Sequence, residues 1–259
     1  MEVMIGDIGN TITKICLLNI NKFKPKKIIY INKKEITSRI LLKKKFKKIL
    51  RNKSINKIAL FSSVVPKYDL ILKKFLKRTY GIDLKEIMEK KIYKIVKINI
   101  NNKKQVGSDR VANAVAAYKK YKTNCIVLDF GTATTFDVVM KDGVYNGGII
   151  APGVNLSIKS LSSSAAQIPL FSLKKRKKII GKNTIEALRS GFYWGYLGLI
   201  NNIILKIEKE TKKKYKVIFT GGYANLFKNS IIKPFSVDKN ITIKGIIEIF
   251  KANKKYLVK

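Results

Sequence analysis

"VMIGDIGNTITKI" at residues 3–15 and "CIVLDFGTATTFDVV" at residues 125–139 superpose with Asp7 on Asp129 and Gly9 on Gly131. In each copy an apolar run ends in an acid, a glycine follows two residues later, and a second run begins beyond a hydroxyl-bearing turn. Short apolar runs bounded by Gly and Asn read as strands of a hairpin. The first copy predicts strands over 2–8, 12–20 and 26–33, hinged at Gly9 and Asn10. The second predicts three strands over 124–150, joined at Gly131 and at Asp142-Gly143. A meander that occurs twice, each time leading into helices, predicts a duplicated α/β fold with a ligand cleft between two similar lobes.

Outward from the repeats, helical periodicity spans about 34–51, with Ile36, Ile40, Leu41 and Leu50 as its apolar positions. A strand at 57–65 stops at Pro66, and a helix over 67–80 stops at Gly81, a C-cap residue. "SDRVANAVAAYKKY" at 108–121 predicts a helix with Ser108 as N-cap. Further helices are expected after Pro152-Gly153 and over 183–212, a strand over 216–220 before Gly221-Gly222, and a strand or turn and helix in "ITIKGIIEIF". The lobes are expected to divide at 106/107, giving 1–106 and 107–259.

Composition limits the chemistry. The chain of 259 residues is 46% apolar, enough for a substantial core, and it has no histidine. His-dependent triads and imidazole acid-base schemes are therefore excluded, and proton transfer falls to Asp, Glu, Lys, Tyr or Cys. Cys16 and Cys125 lie inside apolar strand-like runs and read as buried free thiols. No basic-then-apolar segment opens the sequence, and the longest uncharged apolar run, 191–205, falls short of the roughly 20 residues of a membrane span. A cytoplasmic protein without membrane contact is expected, with 191–205 as a buried or interface helix.

The net charge of +39 has two readings. A cationic surface attracts nucleic acid and other polyanions, so nonspecific nucleic-acid contact is expected. The lysines are spread along the whole chain, arginine is scarce, and Ile and Asn are abundant, which favours drift toward A- and T-rich codons over a dedicated surface.

The pentapeptide Asp7-Ile8-Gly9-Asn10-Thr11 alone reads as a turn, since Asp, Gly and Asn favour turns for conformational reasons. Two equivalent loops in a duplicated chain can each aim backbone N–H groups and a hydroxyl, Thr11 or Thr132, at a polyphosphate. A carboxylate near phosphates needs a cation between them, which makes Asp7 and Asp129 candidate ion holders. Asp109 just inside a helix start, beside Arg110, is expected to stay ionised. Arg110 can fork onto a carboxylate, and Gly221-Gly222 would let an adenine or ribose approach the backbone.

"DIGNTITK" at 7–14, "GSDRVANAVAAY" at 107–118, "DFGTATTFDVV" at 129–139, "GGIIAPGVNLSIKSL" at 147–161, "GKNTIEALRSGFYWGYLGLI" at 181–200 and "FTGGYA" at 219–224 occur in that order. Together they resemble type III pantothenate kinase over essentially the whole chain. The resemblance implies a duplicated actin-like (ribonuclease H-like) two-lobe fold with a mixed sheet in each lobe, a homodimer, and ATP-dependent phosphorylation of pantothenate to 4′-phosphopantothenate, toward coenzyme A.

Roles carried over by position remain expectations. The resemblance makes Asp7, Ile8, Gly9, Asn10, Thr11, Ile12, Thr13 and Lys14 the phosphate loop, with Asp7 near Mg2+ directly or through water. It makes Gly107, Ser108, Asp109 and Arg110 the pantothenate segment, with Asp109 as base. Asp129 matches the ligand of a monovalent cation, K+ or NH4+; Thr132 matches an ATP contact, and Thr184 a substrate contact near the dimer interface. Of the aromatic group Phe192, Tyr193, Trp194 and Tyr196, interface packing is expected.

The pattern departs from the family upstream of Gly107, where "NINNKKQV" places Ile100 at a substrate-contacting tyrosine and Lys103 at a proline. Loss of a phenolic hydrogen bond there is worth roughly 0.5–1.5 kcal/mol. A kinase of another small alcohol, or a non-catalytic nucleotide- or nucleic-acid-binding regulator, are the rival readings.

Overall fold

The computed structural model describes residues 1–51, 54–89, 94–230 and 235–258. Along the chain run β1 (Glu2–Ile8), β2 (Ile12–Asn19), β3 (Ile29–Asn32), α1 (Lys33–Thr37), α2 (Arg39–Leu50), β4 (Ile58–Ser63), α3 (Pro66–Tyr80), β5 (Asp83–Glu86), β6 (Lys97–Ile98) and α4 (Ser108–Tyr121). Then follow β7 (Cys125–Phe130), β8 (Ala133–Val139), β9 (Val144–Pro152), α5 (Val154–Ser164), α6 (Thr184–Thr211), β10 (Lys216–Gly221), α7 (Ala224–Phe227), β11 (Phe235–Val237), α8 (Ile241–Ala252) and α9 (Lys254–Leu257).

The chain packs as two compact units, one of residues 1–120, 143–145 and 240–259, the other of 121–142 and 146–239. This division differs from the boundary expected at 106/107: α4 up to Lys120 and the C-terminal helices pack in the first unit.

In the first unit the strand order is β3-β2-β1-β4-β5, with β1–β2 and β2–β3 antiparallel and β1–β4 and β4–β5 parallel. The second sheet has six strands in the order β6-β9-β8-β7-β10-β11, with β7–β8 antiparallel and β6–β9, β7–β10 and β10–β11 parallel. Apart from the added edge strand β6 the two orders are the same, so the repeat seen in the sequence is a repeat of sheet topology.

Equivalence extends to the hairpins. Gly9 N–H donates to the Ile12 carbonyl (3.2 Å), and Gly131 N–H donates to the Ala133 carbonyl (3.0 Å), one residue sooner. Asp7 stands beside Ser62 of β4, and Asp129 beside Thr220 of β10, each acid one residue from its strand's end.

Two expectations about elements are corrected, and the alternative left open for "ITIKGIIEIF" is resolved as helix. The helix expected over 34–51 is two helices, because Ser38 is extended (φ −100°, ψ 112°) and its side chain caps α2 at Leu41 N–H. The break changes the helical phase: Leu42, Phe46 and Ile49 are buried, whereas Ile40 is 81% exposed. Phe46 packs on Phe75 of α3 at 5.4 Å between ring centroids, and burying one such side chain contributes about 1.5–3 kcal/mol. The third strand is only 29–32, and the end segment 241–252 is helix α8, with Gly245 set tightly against the Ala112 backbone of α4. Gly81 does cap α3, in the left-handed conformation (φ 64°).

Helix α6 buries Ser190, Tyr193, Leu197, Ile200, Ile204 and Ile207 at alternating spacings of three and four. Cys16 and Cys125 are buried free thiols, as expected.

Candidate functional site

Asp7 and Ile8 end β1, Gly9, Asn10 and Thr11 form the turn, and Ile12, Thr13 and Lys14 open β2. Ile8 and Thr13 point into the core, so toward a ligand they can offer only backbone. Asn10 and Thr11 are exposed. A Cβ on Gly9 would come within 2.9 Å of the Ile12 carbonyl, so the tight hairpin itself requires glycine.

Gly107 to Arg110 lies in the same unit, at the head of α4. The Gly107 carbonyl accepts from Arg110 N–H (3.1 Å) and Val111 N–H (3.2 Å), which makes Gly107 the residue before the first turn. The expectation that Ser108 caps this helix is therefore corrected. Its hydroxyl is buried and turned to the end of β4, accepting from Ser63 N–H (2.8 Å), donating to Ser63 O (3.0 Å) and meeting Ser62 Oγ at 3.1 Å.

Asp109 folds back over Gly107, its Oδ1 accepting from Arg110 N–H at 2.8 Å. Burial raises the Asp109 pKa, and the Arg110 N–H and charge oppose that rise without cancelling it. The helix end and Arg110 were expected to favour the ionised form; desolvation is the larger effect. A carboxyl raised toward the working pH is a better proton acceptor than one held at 3.8. The Arg110 guanidinium lies over the Tyr145 ring, 5.9 Å from its centroid. Ile100 is half-buried just after β6, ahead of a 3-10 turn at Lys103–Gln105.

The second unit gathers a different set. A Cβ on Gly221, which has φ +83°, would lie 2.6 Å from Asp129 Oδ1 and 2.5 Å from the Phe130 carbonyl. Gly222 N–H donates to that carbonyl at 3.1 Å. Thr132 is exposed on the β7–β8 turn, and Gly153, the residue before α5, presses against its carbonyl. Asp129, Thr132, Gly221 and Gly222 thus share one end of β7 and β10.

Thr184 begins α6 and lines an apolar groove of about 630 Å³ with Pro152, Leu161, Gly191, Phe192 and Tyr196. Of the aromatic group, Tyr193 belongs to the core, stacked on Phe227 at 5.7 Å, which corrects its assignment to an interface. Phe192 and Tyr196 line the groove.

The described residues contain no group of three or more His, Cys, Asp or Glu able to hold a metal alone. A lone carboxylate such as Asp7, at the end of β1 beside the hairpin, suits Mg2+ arriving on a nucleotide, since Mg2+ typically takes one or two carboxylates and completes its shell with phosphates and water. Sequence reasoning missed Ser62, Ser63 and Gly153. Two adjacent serines ending a strand before Val-Val-Pro were the available signal for the first pair.

A family model described as type III pantothenate kinase matches residues 3–206. A curated type III pantothenate kinase of Pelagibacter ubique (strain HTCC1062) is 51% identical over 245 residues, 95% of this chain and 97% of that protein. A solved structure described as a Baf family transcriptional activator from Campylobacter jejuni superposes with a TM-score of 0.64 at 22% identity, covering 98% of this chain and 100% of the other. The activator of 2-hydroxyisocaproyl-CoA dehydratase from Clostridium difficile, solved with bound ADPNP, superposes with a TM-score of 0.53 at 11% identity, covering 98% and 96%. At those identities the two structural likenesses speak for the fold.

Proposed function

Because this chain belongs to the type III pantothenate kinase family, we propose that it transfers the γ-phosphoryl group of ATP to pantothenate, giving 4′-phosphopantothenate, the first step of coenzyme A biosynthesis. The observation that carries the reading is the relative of Pelagibacter ubique, 51% identical over 95% of the chain. Asp7, Asp109, Arg110 and Asp129, which decay of catalysis would strike first, are all present.

Phosphoryl transfer to an alcohol requires an aligned hydroxyl, cations to neutralise the phosphates and a group to take the proton. Asp109 is the proton acceptor, with no histidine in the chain to compete for the role. Arg110 and the backbone of Gly107 and Ser108 receive pantothenate, with Ile100 and Thr184 as further contacts. The Asp7 to Lys14 hairpin offers backbone N–H groups to the phosphates, and Asp7 holds Mg2+ directly or through water. When bound, Mg2+ supplies charge neutralisation of the phosphates. Asp129 holds a monovalent cation, K+ or NH4+, and Thr132, Gly221 and Gly222 contact ATP.

A homodimer through the outer face of α6 completes the proposal. Gly191, Gly195 and Gly198 are spaced along the helix, and a Cβ on any of them would meet nothing within 4 Å. Such a stripe admits a close helix, and the adjacent groove adds Phe192 and Tyr196. No helix among the described residues is long and apolar enough to cross a membrane; a cytoplasmic location is part of the proposal. The basic surface supports nonspecific, salt-sensitive contact with nucleic acid.

The test is ATP-dependent formation of phosphopantothenate by purified protein with Mg2+ and K+, run beside Asp109→Asn and a panel of other alcohols. Product from the wild type and almost none from the variant are expected. A folded, ATP-binding wild type that phosphorylates a different alcohol, or none, overturns the assignment.

A further inference from the structure

We propose that Ser108 is a positioning residue for phosphoryl transfer, its hydroxyl locking the head of α4, and so the carboxylate of Asp109, to the strand beside Asp7. The inference rests on the reading of Asp109 as proton acceptor.

A serine hydroxyl has one proton to give and two lone pairs. The Ser108 hydroxyl donates to Ser63 O at 3.0 Å, accepts from Ser63 N–H at 2.8 Å, meets Ser62 Oγ at 3.1 Å and also faces the Glu86 carboxyl. This capacity is committed to the ends of β4 and β5, and the residue is only 3% exposed. The side chain therefore has nothing left for pantothenate; at this position the substrate meets backbone.

The other end of the connection is the phosphate hairpin. Ser62 and Ser63 stand in parallel register with Asp7 and Ile8, and Val64 N–H donates to the Ile8 carbonyl at 3.1 Å. Gly107 closes the path, since a Cβ there would touch Val64 Cγ1 at 3.4 Å. Asp7, Ser62, Ser108 and Asp109 are thus linked by strand pairing, hydrogen bonds and one peptide bond, without a flexible segment between them.

The surroundings strengthen the clamp. The Glu86 carboxyl at the end of β5 faces the same hydroxyl, and burial pushes its pKa up. In such poorly solvated surroundings each hydrogen bond holds its geometry more strongly than in water. A displacement of about 1 Å in a reacting group can cost on the order of 100-fold in rate, so a clamp one residue from the acceptor acts on catalysis.

The experiment is a double-mutant cycle of Ser108→Ala and Ser62→Ala, with Ser108→Thr as the conservative variant, measuring kcat, KM for ATP and for pantothenate, and Tm. Ser108→Ala is expected to lower kcat about 10- to 100-fold with both KM values within about threefold. Ser108→Thr restores a large part of kcat. Ser62→Ala gives a smaller loss, and the double variant is no worse than Ser108→Ala alone. A fall in Tm with kcat unchanged overturns the proposal, as does a rise in KM for pantothenate at unchanged kcat, which would make Ser108 a substrate ligand. If Ser108→Ala does not fold, Ser62→Ala decides, because it leaves both Ser63 bonds in place; an unchanged kcat there overturns the proposal. A wild type without pantothenate kinase activity instead removes the reading beneath it.

Discussion

A methyl group on Gly107 would sit 2.6 Å from Oδ1 of Asp109. The carboxylate occupies the space that the missing side chain leaves, so this glycine sets the direction in which the acid points. Gly107→Ala forces the flexible carboxylate aside more readily than the backbone. Its kcat is expected to fall about 10- to 100-fold while Tm moves by only a few degrees, as steady-state kinetics beside a thermal melt would show.

Asp109→Asn separates catalysis from stability. General-base assistance is worth roughly 10²–10⁴ in rate, and kcat is expected to fall within that range while ATP still binds. The folded Asp109 pKa lies above its value of 3.8 in an unfolded chain. Its contribution to stability is therefore complete below 3.8 and is lost as pH rises through the folded pKa. The neutral amide avoids this loss, so the variant should melt higher than the wild type at pH 7 and lose the advantage toward pH 4.

The same shift appears in the pH profile. Activity requires the ionised acceptor, so the acid limb of kcat should have its midpoint above 3.8. A limb at or below that value would mean that another group, or Asp109 in a relaxed solvated form, is being titrated.

The monovalent cation can be assigned by replacement. Asp129→Asn is expected to abolish stimulation by K+ or NH4+ while leaving dependence on Mg2+ in place. Titration of each ion into wild type and variant provides the measurement, and undiminished K+ stimulation in the variant would move the cation elsewhere.

Gly195→Arg tests the dimer. The side chain would enter open space, so the subunit fold should persist, with circular dichroism unchanged. Sedimentation is expected to show a dimer for the wild type and a monomer for the variant.

The hairpins, the duplication and the acid-x-glycine loops were all legible in the sequence. They depend on alternation and turn chemistry among near neighbours, so "VMIGDIGNTITKI" predicts β1, the Gly9 turn and β2 without help from the rest of the chain. The family followed from motifs placed in order. Ser38 was missed as a helix break because 34–51 keeps a helical composition throughout; the packing of Leu42, Phe46 and Ile49 decided the phase.

The direction of Ser108 and the ionisation of Asp109 were decided only by tertiary structure. A serine before Asp-Arg-Val has the local features of a helix cap, but its partners lie on Ser62 and Ser63, some 45 residues away in the chain. Arg110 beside Asp109 argues locally for a lowered pKa, yet desolvation depends on everything packed around the carboxyl and prevails. Local propensity thus determined which elements form and which residue types stand at their ends; burial and long-range hydrogen bonding decided where those side chains point and how readily they hold a proton.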